Sequence, residues 1–189
     1  VLPGRATGLH LSPEGVRQAE AVADRVAKLT RVAAVYSSPM ERARETATPI
    51  ARRRRLGVAV ESGLNELDNG EWTGRKLRDL CRLPEWKIVQ RYPSGFRFPG
   101  GEAFTEMQAR VARTLVAIAA RHPGTTVVAV SHGDPIKAAV ALALGTPLDL
   151  FQRIMVAPAS VSAIAYGAGG PSVLTVNSVG GELTALGLR

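Results

Sequence analysis

Short apolar runs that alternate with capped, amphipathic helical stretches predict an α/β fold, with helices packed on a mainly parallel sheet. Two observations carry that expectation. Residues 32–36 and 126–131 are β-rich apolar runs, and each leads within a few residues into a helix-start signal, Ser38-Pro39 in one case and Gly133-Asp134-Pro135 in the other. Parallel neighbours need a long crossover between them, and a strand feeding a helix supplies it.

The first helix opens at Ser12-Pro13-Glu14, a capping residue followed by Pro and then an acid in the first turn. Val16, Ala19, Val22, Ala23 and Val26 recur at helical spacing, so the helix is expected over residues 13–29. Residues 32–36 read as a buried strand. A second helix should run from Pro39 to about Arg54, with Arg52 to Arg55 as its solvated end, where cations complement the dipole. Residues 58–60 are a candidate short strand, followed by a loop carrying Glu66. The stretch 72–98 is the least regular, its helical patterns broken by Pro84, Pro93, Pro99 and Gly100-Gly101, and predicts a lid or insertion at about 72–100. Phe104, Met107, Val111, Leu115 and Ile118 form one stripe of a long helix over 102–121. Residues 126–131 are the strongest strand, and a helix follows to about Leu144. Strands over 161–166 and 172–177 are candidates for antiparallel pairing, with an exposed edge that could join two copies in a homodimer.

The chain has 189 residues, enough for a single domain over residues 1–189 that needs neither disulfide nor metal to fold. Cys81, the only cysteine, reads as a small core or boundary residue; without an intrachain disulfide, a reducing, cytoplasmic setting is expected. No apolar run is long enough to cross a bilayer, and no secretory signal is visible. The net charge is +8, with 20 Arg against 4 Lys. That imbalance reads as the coding bias of a GC-rich genome. No aromatic residues interleave with the basic run, so no nucleic-acid partner is expected.

Chemistry is expected at the two strand-to-helix junctions. Strand ends and helix N-termini together suit an anion. Arg42, in the first turn after Ser38-Pro39, offers a planar fork of donors for phosphate. His132 ends its strand, and Gly133 lets a ligand or backbone come close. Three scattered histidines and one cysteine give no metal-ligand spacing, so neither metal nor cofactor is expected.

The local strings resemble those of the histidine phosphatase (phosphoglycerate mutase-like) superfamily. Leu11-Ser12-Pro13-Glu14-Gly15 is similar to the helix opening after the family's first catalytic loop. The string from Tyr36 to Ala47 resembles the segment that carries its phosphate-binding arginine, here Arg42. Leu64-Asn65-Glu66-Leu67-Asp68 resembles the loop of its acidic proton donor, Phe98-Pro99-Gly100-Gly101-Glu102 the entry to its long helix, and Val130-Ser131-His132-Gly133 its second histidine string. All occur in the family's order, and the likeness is greatest to small actinobacterial phosphomutase-like proteins. The resemblance implies a three-layer α/β/α sandwich and a phosphomonoester hydrolase acting through a phosphohistidine. Phosphate would be bound by Arg42, His132 and Gly133, and catalysis would involve Glu66 and His132. A mutase acting on a small phosphorylated metabolite, or a non-catalytic phospho-ligand binder, are the alternatives. The family's nucleophile lies in an Arg-His-Gly string on its first strand. No such string occurs here, and the strand and its histidine are expected upstream of Val1. Arg5, Arg75, Lys76, Arg97 and Lys137 are candidates for the substrate entrance. Hydrolysis is favoured over transfer because the 72–98 stretch is short for a lid that excludes water.

Overall fold

The computed structural model describes residues 1–188. Helix α1 (Pro13–Ala27) is capped by Ser12, whose hydroxyl accepts a hydrogen bond from Gly15 N at 3.1 Å. Strand β1 (Val32–Ser37) leads into α2 (Glu41–Arg54), which starts two residues later than the Pro39 signal predicts. Met40 is its N-cap, in extended backbone, while Ser38 Oγ accepts from Met40 N at 3.3 Å. The serine is turned to a local turn and not to capping the helix. Helix α2 ends at Arg55, in the left-handed region at φ 55°.

Strand β2 (Val58–Val60), helices α3 (Leu77–Leu80), α4 (Pro84–Arg91) and α5 (Phe104–Arg121), strand β3 (Thr126–Val130), helix α6 (Gly133–Ala143) and strands β4 (Val161–Gly167) and β5 (Gly170–Ser178) follow, separated by short 3-10 turns. β1 is the middle strand of a three-stranded parallel sheet in the order β2-β1-β3. Side chains alternate as the pleat requires. Val35, Val128 and Val130 face α1 and α2 with Val22, Val26 and Ile50, while Ala34, Tyr36, Val127 and Ala129 face α5 with Leu115 and Ile118. The sandwich therefore has three layers. The late strands pair with each other, antiparallel, as a separate hairpin. Among the described residues, β1 is the only strand paired with β3.

The segment read as a lid or insertion is packed. Trp72, Phe96 and Phe98 meet with ring centroids 5.0–5.5 Å apart, and bury themselves with Leu80, Val89, Phe104, Met107 and Phe151. Five aromatic rings gathered this way make a second core between the segment, α5 and α6, and explain its irregular pattern: the rings come from turns as well as helices. Cys81, expected in the core or at its boundary, is exposed at the end of α3. The basic end of α2 is tied to α1, Arg53 to Glu20 and Asp24 at 2.7 Å each, and Arg54 to Ala27 O at 3.0 Å.

Candidate phosphate-ester site

Parallel topology brings the carboxyl ends of β1 and β3 side by side, with Ser37 opposite Val130 and Ser38 N donating to Val130 O at 2.9 Å. The turns that follow therefore place Arg42 and His132 in one neighbourhood. Arg42 donates from one terminal nitrogen to Gly4 O at 2.9 Å, while the other, Nη1, is buried with no acceptor among the described residues. His132, 7% exposed, is the N-cap residue of α6, with Nε2 2.7 Å from the oxygen of the fully buried Ser38. Burial is the main force on its ring, followed by Arg42, Arg110 and Arg5. Together they push the imidazole pKa down to about 3, so in the empty site the ring is neutral at neutral pH. A cationic donor at His132 thus requires the charge of an anion beside it. Next to Gly133, a Cβ would meet nothing within 4 Å, so the protein leaves the space there open.

Glu66 approaches from the loop after β2. Its carboxyl accepts a hydrogen bond from Leu67 N at 2.8 Å, and burial, then Asp134, push its pKa up to about 7. Two arginines converge on this loop, yet both grip backbone. Arg5 Nε donates to Glu66 O at 2.7 Å, and Arg110 donates to Gly63 O at 2.8 Å, Asn65 O at 3.0 Å and Glu66 O at 3.4 Å. Glu102 lies between the two guanidiniums, 3.1 Å from Arg5 and 2.9 Å from Arg110, and takes up much of their charge. The loop is thereby held through its backbone, while burial and then Asp134 outweigh the opposing pull of Leu67 N, Arg42 and Arg110 and keep much of the Glu66 carboxyl protonated near neutrality.

Arg5, expected at the entrance, is instead a strut: all three of its nitrogens are spent on Glu66 O, Asp68 and Glu102. Lys137 is likewise engaged, 3.1 Å from Gln152 Oε1 and 3.7 Å from Asp134. Arg97 is paired with Glu106, whereas Arg75 and Lys76 are exposed. His10 pairs with Glu45 at the surface, and His122 lies 2.9 Å from the Tyr36 hydroxyl, so neither reaches the cluster. Sequence reasoning read Ser38 and Asp134 only as helix-start signals and gave no role in the site to either of them or to Arg110. The burial-raised carboxyl of Asp134 lies two residues after His132, a spacing that could have drawn attention; Arg110 had no signal, being one arginine among many. Among the described residues no group of three or more His, Cys, Asp or Glu is placed to hold a metal ion, and no helix is long and apolar enough to cross a membrane.

The family model described as the histidine phosphatase superfamily (branch 1) matches residues 2–179. A bifunctional protein of Mycobacterium tuberculosis is 37% identical over 172 residues, covering 90% of this chain and 47% of that protein. The chain thus spans about half the length of that protein and of two further mycobacterial relatives matched at the same identity. Phosphoserine phosphatase 1 of Hydrogenobacter thermophilus is 32% identical over 174 residues, covering 85% of this chain and 78% of that enzyme. The solved structure of mycobacterial glucosyl-3-phosphoglycerate phosphatase matches with a TM-score of 0.83 at 25% identity, covering 94% of this chain and 90% of that one.

Proposed function

Because the chain belongs to the histidine phosphatase superfamily, we propose that it is a phosphomonoester hydrolase for small phosphorylated metabolites, working through a phosphohistidine. The observation that carries this reading is Arg42 Nη1, a buried cationic donor with no acceptor among the described residues. Such an atom is costly unless a ligand completes it, and a phosphate oxygen has the right charge and geometry.

The nucleophilic histidine that the family resemblance implies would attack phosphorus while the ester oxygen leaves. Arg42 would hold the equatorial oxygens and stabilise the charge that gathers there. His132 would join it after taking a proton, which the phosphate charge makes favourable. Glu66, protonated below its pKa of about 7, would give its proton to the departing alkoxide. It would then take one from the water that releases phosphate and restores the histidine.

The test uses the full-length protein and two substrates, an alkyl phosphate and p-nitrophenyl phosphate. Glu66→Gln should lower alkyl-ester hydrolysis by about 10²- to 10⁴-fold. In kcat/KM, which reads the step that releases the alcohol, the aryl ester, whose leaving group needs no proton, should lose far less, and inorganic phosphate should bind as before. Equal losses in kcat/KM on both esters would remove Glu66 as proton donor. Absence of both turnover and an acid-labile phosphoprotein, with phosphate binding that depends on Arg42, would make the protein a phospho-ligand binder. Added alcohols test the acceptor: transfer outrunning hydrolysis would make it a mutase.

A further inference from the structure

The ring of His132 makes one hydrogen bond among the described residues, from Nε2 to Ser38 Oγ. Which atom supplies the proton follows from the partners of Ser38. Asn65 Oδ1 accepts from Glu66 N at 2.9 Å, which fixes that atom as the oxygen of the amide, and the same oxygen lies 3.3 Å from Ser38 Oγ. An amide oxygen cannot donate, so any proton between the two belongs to the serine. Met40 N already donates to Ser38 Oγ at 3.3 Å. A hydroxyl has one proton and two lone pairs. If the proton goes to Asn65, the remaining lone pair is left for His132, and Nε2 must be the donor. The reverse arrangement would leave the buried Ser38 Oγ and the half-buried Asn65 Oδ1 facing each other without a proton between them.

We infer that Ser38 is a positioning residue for His132: with Asn65 it holds the imidazole in the Nε2–H tautomer and keeps the proton off Nδ1. The relay also joins the two candidate catalytic groups through one chain, His132 to Ser38 to Asn65 to the backbone N–H of Glu66. This rests on the phosphate-site reading only for where the anion goes. In the empty site Nδ1 is a proton acceptor. With Nε2 committed to Ser38, His132 becomes a donor to phosphate only by protonation at Nδ1, so binding a phosphate dianion takes up a proton there.

The experiment is nitrogen NMR of the histidine rings in uniformly ¹⁵N-labelled protein at neutral pH, with His132→Gln to assign the signal. The expected wild-type spectrum has a pyrrole-like Nε2 and an unprotonated Nδ1. Asn65→Ala removes the acceptor of the serine proton, freeing it to point at Nε2; the ratio of Nε2–H to Nδ1–H should fall by about tenfold, as for a bond worth ~1.4 kcal/mol. Asn65→Asp, which keeps an acceptor, should not lower it. Should Asn65→Ala not fold, Ser38→Ala reads the hold from its other side, and the ratio should fall toward that of free imidazole. A wild-type ring with the proton on Nδ1, or a ratio indifferent to these changes, overturns the inference. Saturation with inorganic phosphate should then protonate Nδ1. Failure of phosphate to bind would count against the proposed function while leaving the tautomer result standing.

Discussion

Arginine–carboxylate pairs occur in two regions of this protein with opposite settings. On the α1–α2 face, Arg52 and Arg53 meet Glu20 and Asp24, and three of those four side chains are 40–68% exposed. Under the Glu66 loop, Arg110 and Glu102 are only 19% and 14% exposed, and the arginine also holds three backbone carbonyls. The same chemical pair therefore does different work. At the surface, water competes for both charges and little is gained. Beneath the loop, loss of the arginine would strip the Gly63 and Asn65 carbonyls of that donor and leave the Glu102 carboxylate to Arg5. Charge pairing there fixes geometry, and the geometry it fixes is that of the candidate acid.

This contrast can be broken first at Arg110. Arg110→Ala should destabilise the fold by about 3 kcal/mol in denaturant unfolding, and a loss below about 1 kcal/mol would show the loop to be held by other means.

The next effect belongs to Glu66. Its folded pKa of about 7 lies above its ordinary 4.5. Between those values the unfolded chain ionises and the folded one does not, so stability is full below pH 4.5 and declines as pH rises to 7. Glu66→Gln should therefore match the wild type near pH 4 and exceed it by about 3 kcal/mol at pH 8. Unfolding curves that differ equally at both pH values would contradict the raised pKa. His132 acts in the opposite sense: with its pKa lowered to about 3 from 6.5, stability is full above pH 6.5 and is lost on acidification.

A finer test lies in Asp134→Asn, which removes the second-largest influence raising Glu66. The Glu66 midpoint, followed by carboxyl carbon NMR, should move down; burial, the larger cause, stays, so it should remain above 4.5. No movement would mean that the two carboxyls do not sense each other. The smallest effect is expected at the surface, where Arg52→Ala, which removes a side chain 68% exposed, should cost about 0.5 kcal/mol. A loss equal to that of Arg110→Ala would erase the distinction between the two regions.

Much of this was legible in the residues themselves. The strand-to-helix junctions were visible because apolar runs, caps and prolines act locally, and they placed Arg42 in the first turn after one strand and His132 at the end of the other. Ser38-Pro39 misled by two residues, because the serine's oxygen is claimed by Met40 N, His132 and Asn65 and not by the helix. Arg5 looked like an entrance residue because a lone cation in a loop has no partner in one dimension; its partners lie 61 to 97 positions away.

By itself the sequence determined the order of elements and the α/β character, which depend on short-range periodicity, and its compact strings singled out Arg42, Glu66 and His132 as candidates through their resemblance to a family. Tertiary structure alone decided which arginine holds the Glu66 loop, that the 72–100 segment folds into an aromatic core, and that the late strands form a hairpin apart from the parallel sheet. It also set the pKa values of Glu66 and His132. These properties arise from burial and from partners distant in the chain, and a desolvated charge is shaped by everything within a few ångströms, whatever its place in the sequence.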